Sequence, residues 1–352
     1  MKESKSYHFL GLDLVRILAM MIITSMHFAY YQHLGREFNE MPLYNKVFIT
    51  NIDVFSKCFI NLFVMLSGYL LCTKKRNWYN IIRIWSMSIF AAYFIFFLMT
   101  ILFPNSVSIS SAVHSLFPIL SCSYWYITIY LILYVMSPAF NNIIYSLTKK
   151  TFRNYLIFFT IIFTIVLGAN PLIADSVYIG SAQSILWFCY VYFIGSYVKL
   201  YGIKLKRSSL LIFSVIIYFV MFVLIYKRIV LPVNTNIIKD TGILPLFLSV
   251  GLFSYLSTIK INSGIVISYV SKSSLFVYLI QEAPQFRSIF WPELNLLDMV
   301  SSPKLLLIYI TVVISLFCAA SAMNYTYNLL YKFFLLKFGS KFGEILPLIH
   351  DK

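Results

Sequence analysis

Charge is scarce in this chain. Of 352 residues, 11% are charged and only 12 are Asp or Glu. Ordinary soluble domains carry about a quarter charged residues, so a soluble globular protein of this length is excluded. Glycine and proline are also few, 12 and 11, and neither clusters, which excludes collagen-like repeats and low-complexity linkers. The five cysteines, Cys58, Cys72, Cys122, Cys189 and Cys318, show no paired spacing, so neither a disulfide framework nor a metal site is expected. There is no repeat of solenoid length and no polar stretch long enough for an appended soluble domain. No small-residue cleavage site follows the first apolar run, which is therefore expected to be retained.

Apolar sequence dominates instead. The chain is 60% hydrophobic, and windows of about 19 residues pick out spans at 9–31, 47–72, 79–103, 124–142, 154–170, 184–201, 208–226, 242–258, 265–281 and 304–331. The expected fold is all-α, a polytopic integral membrane protein of about ten transmembrane helices. The span at 265–281 is interrupted by Ser268, Ser271, Lys272, Ser273 and Ser274, and a broken or re-entrant helix is expected there. The second span carries Asp53 and Lys57 at i,i+4, a spacing that predicts mutual neutralisation on one helical face.

The net charge of +16 is topology rather than nucleic-acid binding. With the N-terminus inside, nineteen of the 28 Lys and Arg fall in inner segments and seven in outer ones. That bias places both termini in the cytoplasm, with membrane lipid as a partner and nucleic acid as none.

The first span is more than an anchor, because it holds Asp13, Arg16 and His27. Ionisable groups at membrane depth are costly unless paired or facing a polar cavity, and so mark function. Eleven residues at about 100° each bring His27 to within roughly 20° of the face of Arg16, about 16 Å further along the axis. Asp13, three residues before Arg16, shares that face. One stripe thus carries a carboxylate and a guanidinium near one membrane surface and an imidazole near the other.

Several motifs follow in order: Arg16 and His27 separated by ten residues, NLFVMLSGYLL (Asn61–Leu71), SYWYITIYLILYVMSPAF (Ser123–Phe140), YFIGSYV (Tyr192–Val198) and SKSSLFVYLIQ (Ser271–Gln281). Together they resemble the membrane acyltransferase-3 family. The resemblance implies a single transmembrane acyltransferase domain over residues 1–340 and a short cytoplasmic tail over 341–352. It implies transfer of an acyl group, usually acetyl from cytoplasmic acetyl-CoA, onto a hydroxyl of a surface polysaccharide or lipid-linked sugar. The setting it implies is the cytoplasmic membrane, as a multi-pass protein. Homo-oligomer and glycan-synthesis complex both stay open.

By that resemblance His27 is the general base, since an imidazole can take a hydroxyl proton near neutrality. Arg16 serves the donor or fixes a carboxylate, and Asp13 orients Arg16. Lys74, Lys75, Arg76 and Arg83 form the expected CoA-phosphate platform. Arg83 matches the second arginine of the family's Arg-x-x-Arg pair, and Asn80 stands in place of the first. Trp125 and Tyr130 are candidate sugar-stacking residues, with Ser67 and Gln281 as further substrate contacts. Gln281 replaces a histidine common in the family and cannot shuttle a proton; the adjacent Glu282 is the residue placed to take part of that role. His8, His33, His114 and His350 read as surface histidines. The residues alone also fit a transporter exporting a glycan or its lipid-linked precursor, or a scaffold of a glycan-synthesis complex.

Overall fold

The computed structural model describes residues 9–104, 115, 118, 123–166, 184–228 and 237–345, with side chains through Phe333. His8, His114, His350 and Cys122 lie outside these residues. Eleven helices of twelve residues or more are described: α1 (Leu10–Tyr31), α2 (Leu43–Ser56), α3 (Phe59–Leu71), α4 (Trp78–Leu102), α5 (Trp125–Ser146), α6 (Lys149–Thr160), α7 (Ile185–Tyr201), α8 (Arg207–Tyr226), α9 (Ile243–Ser257), α10 (Ile265–Gln281) and α11 (Lys304–Ile345). Among the described residues β structure is limited to one isolated bridge, Phe9 with Asn262.

Among the described residues six segments are long and apolar enough to cross a bilayer: Leu10–Tyr31, Leu43–Leu71, Trp78–Leu102, Trp125–Ser146, Arg207–Tyr226 and Lys304–Phe333. Three shorter apolar helices, α7, α9 and α10, accompany them. The chain is a multi-pass membrane protein. Its polarity is distributed accordingly. Large apolar side chains such as Phe97, Ile101, Ile216 and Leu307 point outward, while Ser, Thr, Asn and Gln fill much of the interior. With no hydrophobic drive between helices in lipid, small and polar residues hold such a bundle together.

Helix α1 is central. It packs against α2, α3, α9, α10 and α11. Contacts with α10 occur near the start of both helices, at Asp13 and Ser271, and near the end of both, at His27 and Glu282. The two helices therefore run side by side in the same direction. A very close crossing joins α3 and α7. A Cβ on Gly68 would meet the Tyr192 carbonyl, and one on Gly195 would meet that of Met65. Ser196 donates to the Gly68 carbonyl at 3.2 Å across the contact. The Ser67-Gly68-Tyr69 motif thus serves close helix approach.

Two expectations are corrected. The second span is not one helix, because it breaks at Lys57–Cys58 between α2 and α3. Lys57 lies 3.4 Å from Asp240 and stays within electrostatic reach of Asp53, and Ser249 of α9 donates at 3.4 Å to the Cys58 carbonyl, which also accepts from the Leu62 amide at 3.1 Å. Conversely α10 is unbroken. Its serines satisfy the interior: Ser271 reaches Asp13, Ser273 accepts from Asn324 at 3.1 Å, and Ser274 donates to the Val270 carbonyl. Pro138 in α5 is tolerated similarly. It leaves the Tyr134 carbonyl without its backbone amide, and the Ser137 hydroxyl supplies the donor at 2.7 Å.

Candidate active site

The stripe on α1 is built as two separate polar sites. At the start of the helix Asp13, 1% exposed, has its oxygens filled. Oδ1 accepts from Arg16 at 3.0 Å and from Ser271 at 2.7 Å, and Oδ2 accepts from Ser263 at 2.5 Å. A carboxylate in the first turn also sits at the favourable end of the helix dipole. Arg16 keeps 27% of its side chain exposed, leaving part of its guanidinium available. Tyr130 lies within its electrostatic reach.

At the far end, His27 Nε2 lies 2.9 Å from Glu282 Oε1, and both residues are buried. Glu282 caps the C-terminus of α10. A carboxylate is disfavoured at that negative end of a helix, so it needs cationic or N–H partners. Arg287 supplies one, 3.5 Å from Glu282 Oε2, from a π-helical turn over Phe286–Phe290. Arg287 also lies within electrostatic reach of Tyr31, whose ring lies 5.5 Å from the imidazole of His27.

This second site is incomplete. His27 Nδ1, Gln281 Oε1, the Tyr124 hydroxyl and Trp291 Nε1 are buried with no hydrogen-bond partner among the described residues. They share one neighbourhood. Gln281 adjoins Glu282, Tyr124 is within electrostatic reach of Glu282 and Arg287, and Trp291 stacks on Tyr31 at 5.8 Å. Buried polar atoms are nearly always paired, and here two acceptors and two donors are left open. With Glu282 accepting from Nε2–H, a neutral imidazole carries its lone pair on Nδ1. Nδ1 is then a base with its base site open, and Glu282 fixes the tautomer as the aspartate of a serine-hydrolase triad does.

Other expected residues fall elsewhere. Tyr126 and Tyr130 stack at 6.4 Å, and Tyr130 continues to Tyr134 at 6.3 Å, so the tyrosines form an i,i+4 ladder down α5. Trp125 starts that helix, half-buried, with its ring 5.9 Å from that of Tyr126. Ser67 donates to the Phe63 carbonyl of its own helix at 3.0 Å. Gln281 Nε2 touches Met20 Sδ at 3.8 Å.

The first-loop platform does not converge. Arg83 donates to Asn328 at 3.3 Å, Arg76 donates to the Val135 carbonyl at 3.1 Å and lies over the Trp78 ring, and Lys74 and Lys75 stand exposed. Sequence reasoning misses Arg287, which reads there only as an outer-loop cation. The available signal is a lone carboxylate one residue beyond an apolar span, with an arginine five residues on.

No curated protein and no solved structure matches the chain. The sequence model described as an acyltransferase domain matches residues 9–325, spanning both polar sites, α10 and most of α11. The chain thus belongs to the acyltransferase-3 family, and acyltransferase activity is the coarse function that membership supports.

Proposed function

We propose that the protein is a membrane O-acyltransferase whose transfer centre is the His27–Glu282 pair. The observation that carries this is the buried His27 Nδ1, open while Nε2 is held by a carboxylate. The donor is cytoplasmic acyl-CoA, foremost acetyl-CoA, and the acceptor is a hydroxyl of a surface polysaccharide or lipid-linked sugar. The Phe9 end of α1 faces the cytoplasm, in a ten-span topology across the cytoplasmic membrane with both termini on its cytoplasmic side. Arg16, exposed beyond Asp13, faces the donor.

The chemistry follows from the geometry. The acceptor hydroxyl gives its proton to Nδ1 as its oxygen attacks the thioester carbonyl. Collapse of the tetrahedral intermediate expels the CoA thiolate, which takes the same proton back from Nδ1 and leaves as thiol. Glu282 stabilises the imidazolium in between, and Arg287 holds Glu282. Tyr124 and Trp291 supply buried donors for developing charge or for the acceptor, which matter most where water is excluded. Gln281 Oε1 accepts from a sugar hydroxyl, a binding role open to an amide.

The test is thiol release from acetyl-CoA by membranes containing the protein and its acceptor glycan. Wild type releases CoA thiol, whereas His27→Ala at matched abundance falls to background. An unchanged rate in His27→Ala refutes the assignment. A wild type that exports glycan without consuming acetyl-CoA is a translocase instead.

A further inference from the structure

Tyr69 of the Ser67-Gly68-Tyr69 motif has a role that close helix packing leaves unexplained. Its ring is buried against Phe253, 5.7 Å between centroids, and its hydroxyl accepts from Lys260 Nζ at 2.9 Å. Two ammonium groups converge on this one ring. Lys199 Nζ is 4.7 Å from its centroid and Lys260 Nζ is 5.6 Å. Neither lysine pairs with a carboxylate among the described residues. Asp13 is reached through Ser263, three residues after Lys260, and its oxygens already accept from Arg16, Ser271 and Ser263.

Two exposed like charges held at one aromatic ring repel each other, and an anion between them relieves that repulsion. The phenol contributes too. Because Lys260 donates to its oxygen, its own O–H proton is free to point at the same anion. The site also lies at the right end of the fold. Lys260 sits over the Phe9 ring at 5.4 Å, and Phe9 bridges Asn262 immediately before α1, four residues short of Asp13. The first-loop cations, by contrast, are dispersed: Arg76 and Arg83 are engaged on α5 and α11.

Resting on the acyl-CoA reading above, we propose that Lys199, Lys260 and Tyr69 bind the phosphate groups of the donor, and that Lys74 and Lys75 do not. The phosphates would then be anchored beside the Arg16 end of the stripe, with the pantetheine arm directed along α1 toward His27.

The experiment is equilibrium binding of CoA to the purified full chain in lipid nanodiscs. The ligands are CoA, dephospho-CoA and phosphate-free pantetheine. The proteins are wild type, Lys199→Ala/Lys260→Ala, Lys199→Arg/Lys260→Arg and Lys74→Ala/Lys75→Ala. Loss of charge-assisted hydrogen bonds to phosphate weakens binding by about tenfold or more. The expected result is that loss in the first double variant, rescue by the arginines, and no change for Lys74→Ala/Lys75→Ala. Pantetheine binding should be the same in all four. Both lysines are exposed, and matching melting curves confirm that the variants fold. CoA bound equally by wild type and Lys199→Ala/Lys260→Ala overturns the phosphate site while leaving the donor reading intact. A wild type that binds no CoA overturns the donor reading and the site with it.

Discussion

The two ends of α1 each hold a carboxylate against a cationic or N–H partner, yet they are finished differently. Around Asp13 each carboxylate oxygen has a donor: Arg16, Ser271 and Ser263 close the network and tie α1 to α10. Around Glu282 the carboxylate is equally well held, by His27 and Arg287, but the residues about it are not. His27 Nδ1, Gln281 Oε1, Tyr124 and Trp291 have buried polar atoms without a hydrogen-bond partner among the described residues. A closed network rigidifies a structure, whereas an unfinished one is costly and is retained where a ligand completes it. The lesson is that charge at membrane depth does not by itself locate chemistry. On the proposed assignment, unsatisfied polar atoms beside the charge do.

The sharpest break in this comparison is His27→Ala. It removes the proposed base and should lower transfer per folded molecule by about 10²- to 10⁴-fold, beyond any stability lost by leaving Glu282 with Arg287 alone, as read by thiol release and a thermal melt. Glu282→Gln keeps the shape but loses the charge that fixes Nε2–H and stabilises imidazolium. A fall in kcat of about 10²-fold, with little change in KM, is expected in steady-state kinetics. At the closed end the pattern inverts. Asp13→Asn leaves Arg16 without its counter-charge and should cost stability by about 2 kcal/mol, a reduced value because Arg16 is partly exposed. Activity per folded molecule should stay within about fivefold. Smallest is Ser271→Ala, which withdraws one of three donors from Asp13 and should cost about 1 kcal/mol, visible as a small drop in melting temperature with unchanged kcat. If Asp13→Asn abolished transfer at full stability, the division between the two ends would collapse.

Much of this fold is legible in the amino-acid sequence. Hydropathy places most of the described helices to within a few residues, because lipid demands long apolar runs with internally satisfied backbones, although α11 runs on to Ile345, well past the expected end at 331. The Arg16–His27 spacing puts both on one stripe, because helix geometry is local. What the sequence hides is nonlocal. The break at Lys57–Cys58 is accompanied by contacts to Asp240 and Ser249, nearly two hundred residues away. The serines of α10 look like an interruption because an averaged window does not say which face they occupy; turned inward onto Asp13 and Asn324, they complete the bundle. Glu282 stands out beside Gln281 in the sequence, but its pairing with His27 depends on α1 and α10 running in parallel. The basic first loop misleads in the opposite sense. Its charges follow the topology rule, whereas the lysines that converge, Lys199 and Lys260, come from different helix ends.

The most direct test of the central claim compares the two ends in cells. A deletion strain carries wild type, His27→Ala or Asp13→Asn at matched membrane levels, and base-labile acyl esters on its surface glycan are measured by proton NMR before and after mild alkali. Esters should be lost in His27→Ala, with glycan still exported, and retained in Asp13→Asn. Esters retained in His27→Ala, or lost equally in both variants, would contradict the assignment of transfer to the His27–Glu282 end.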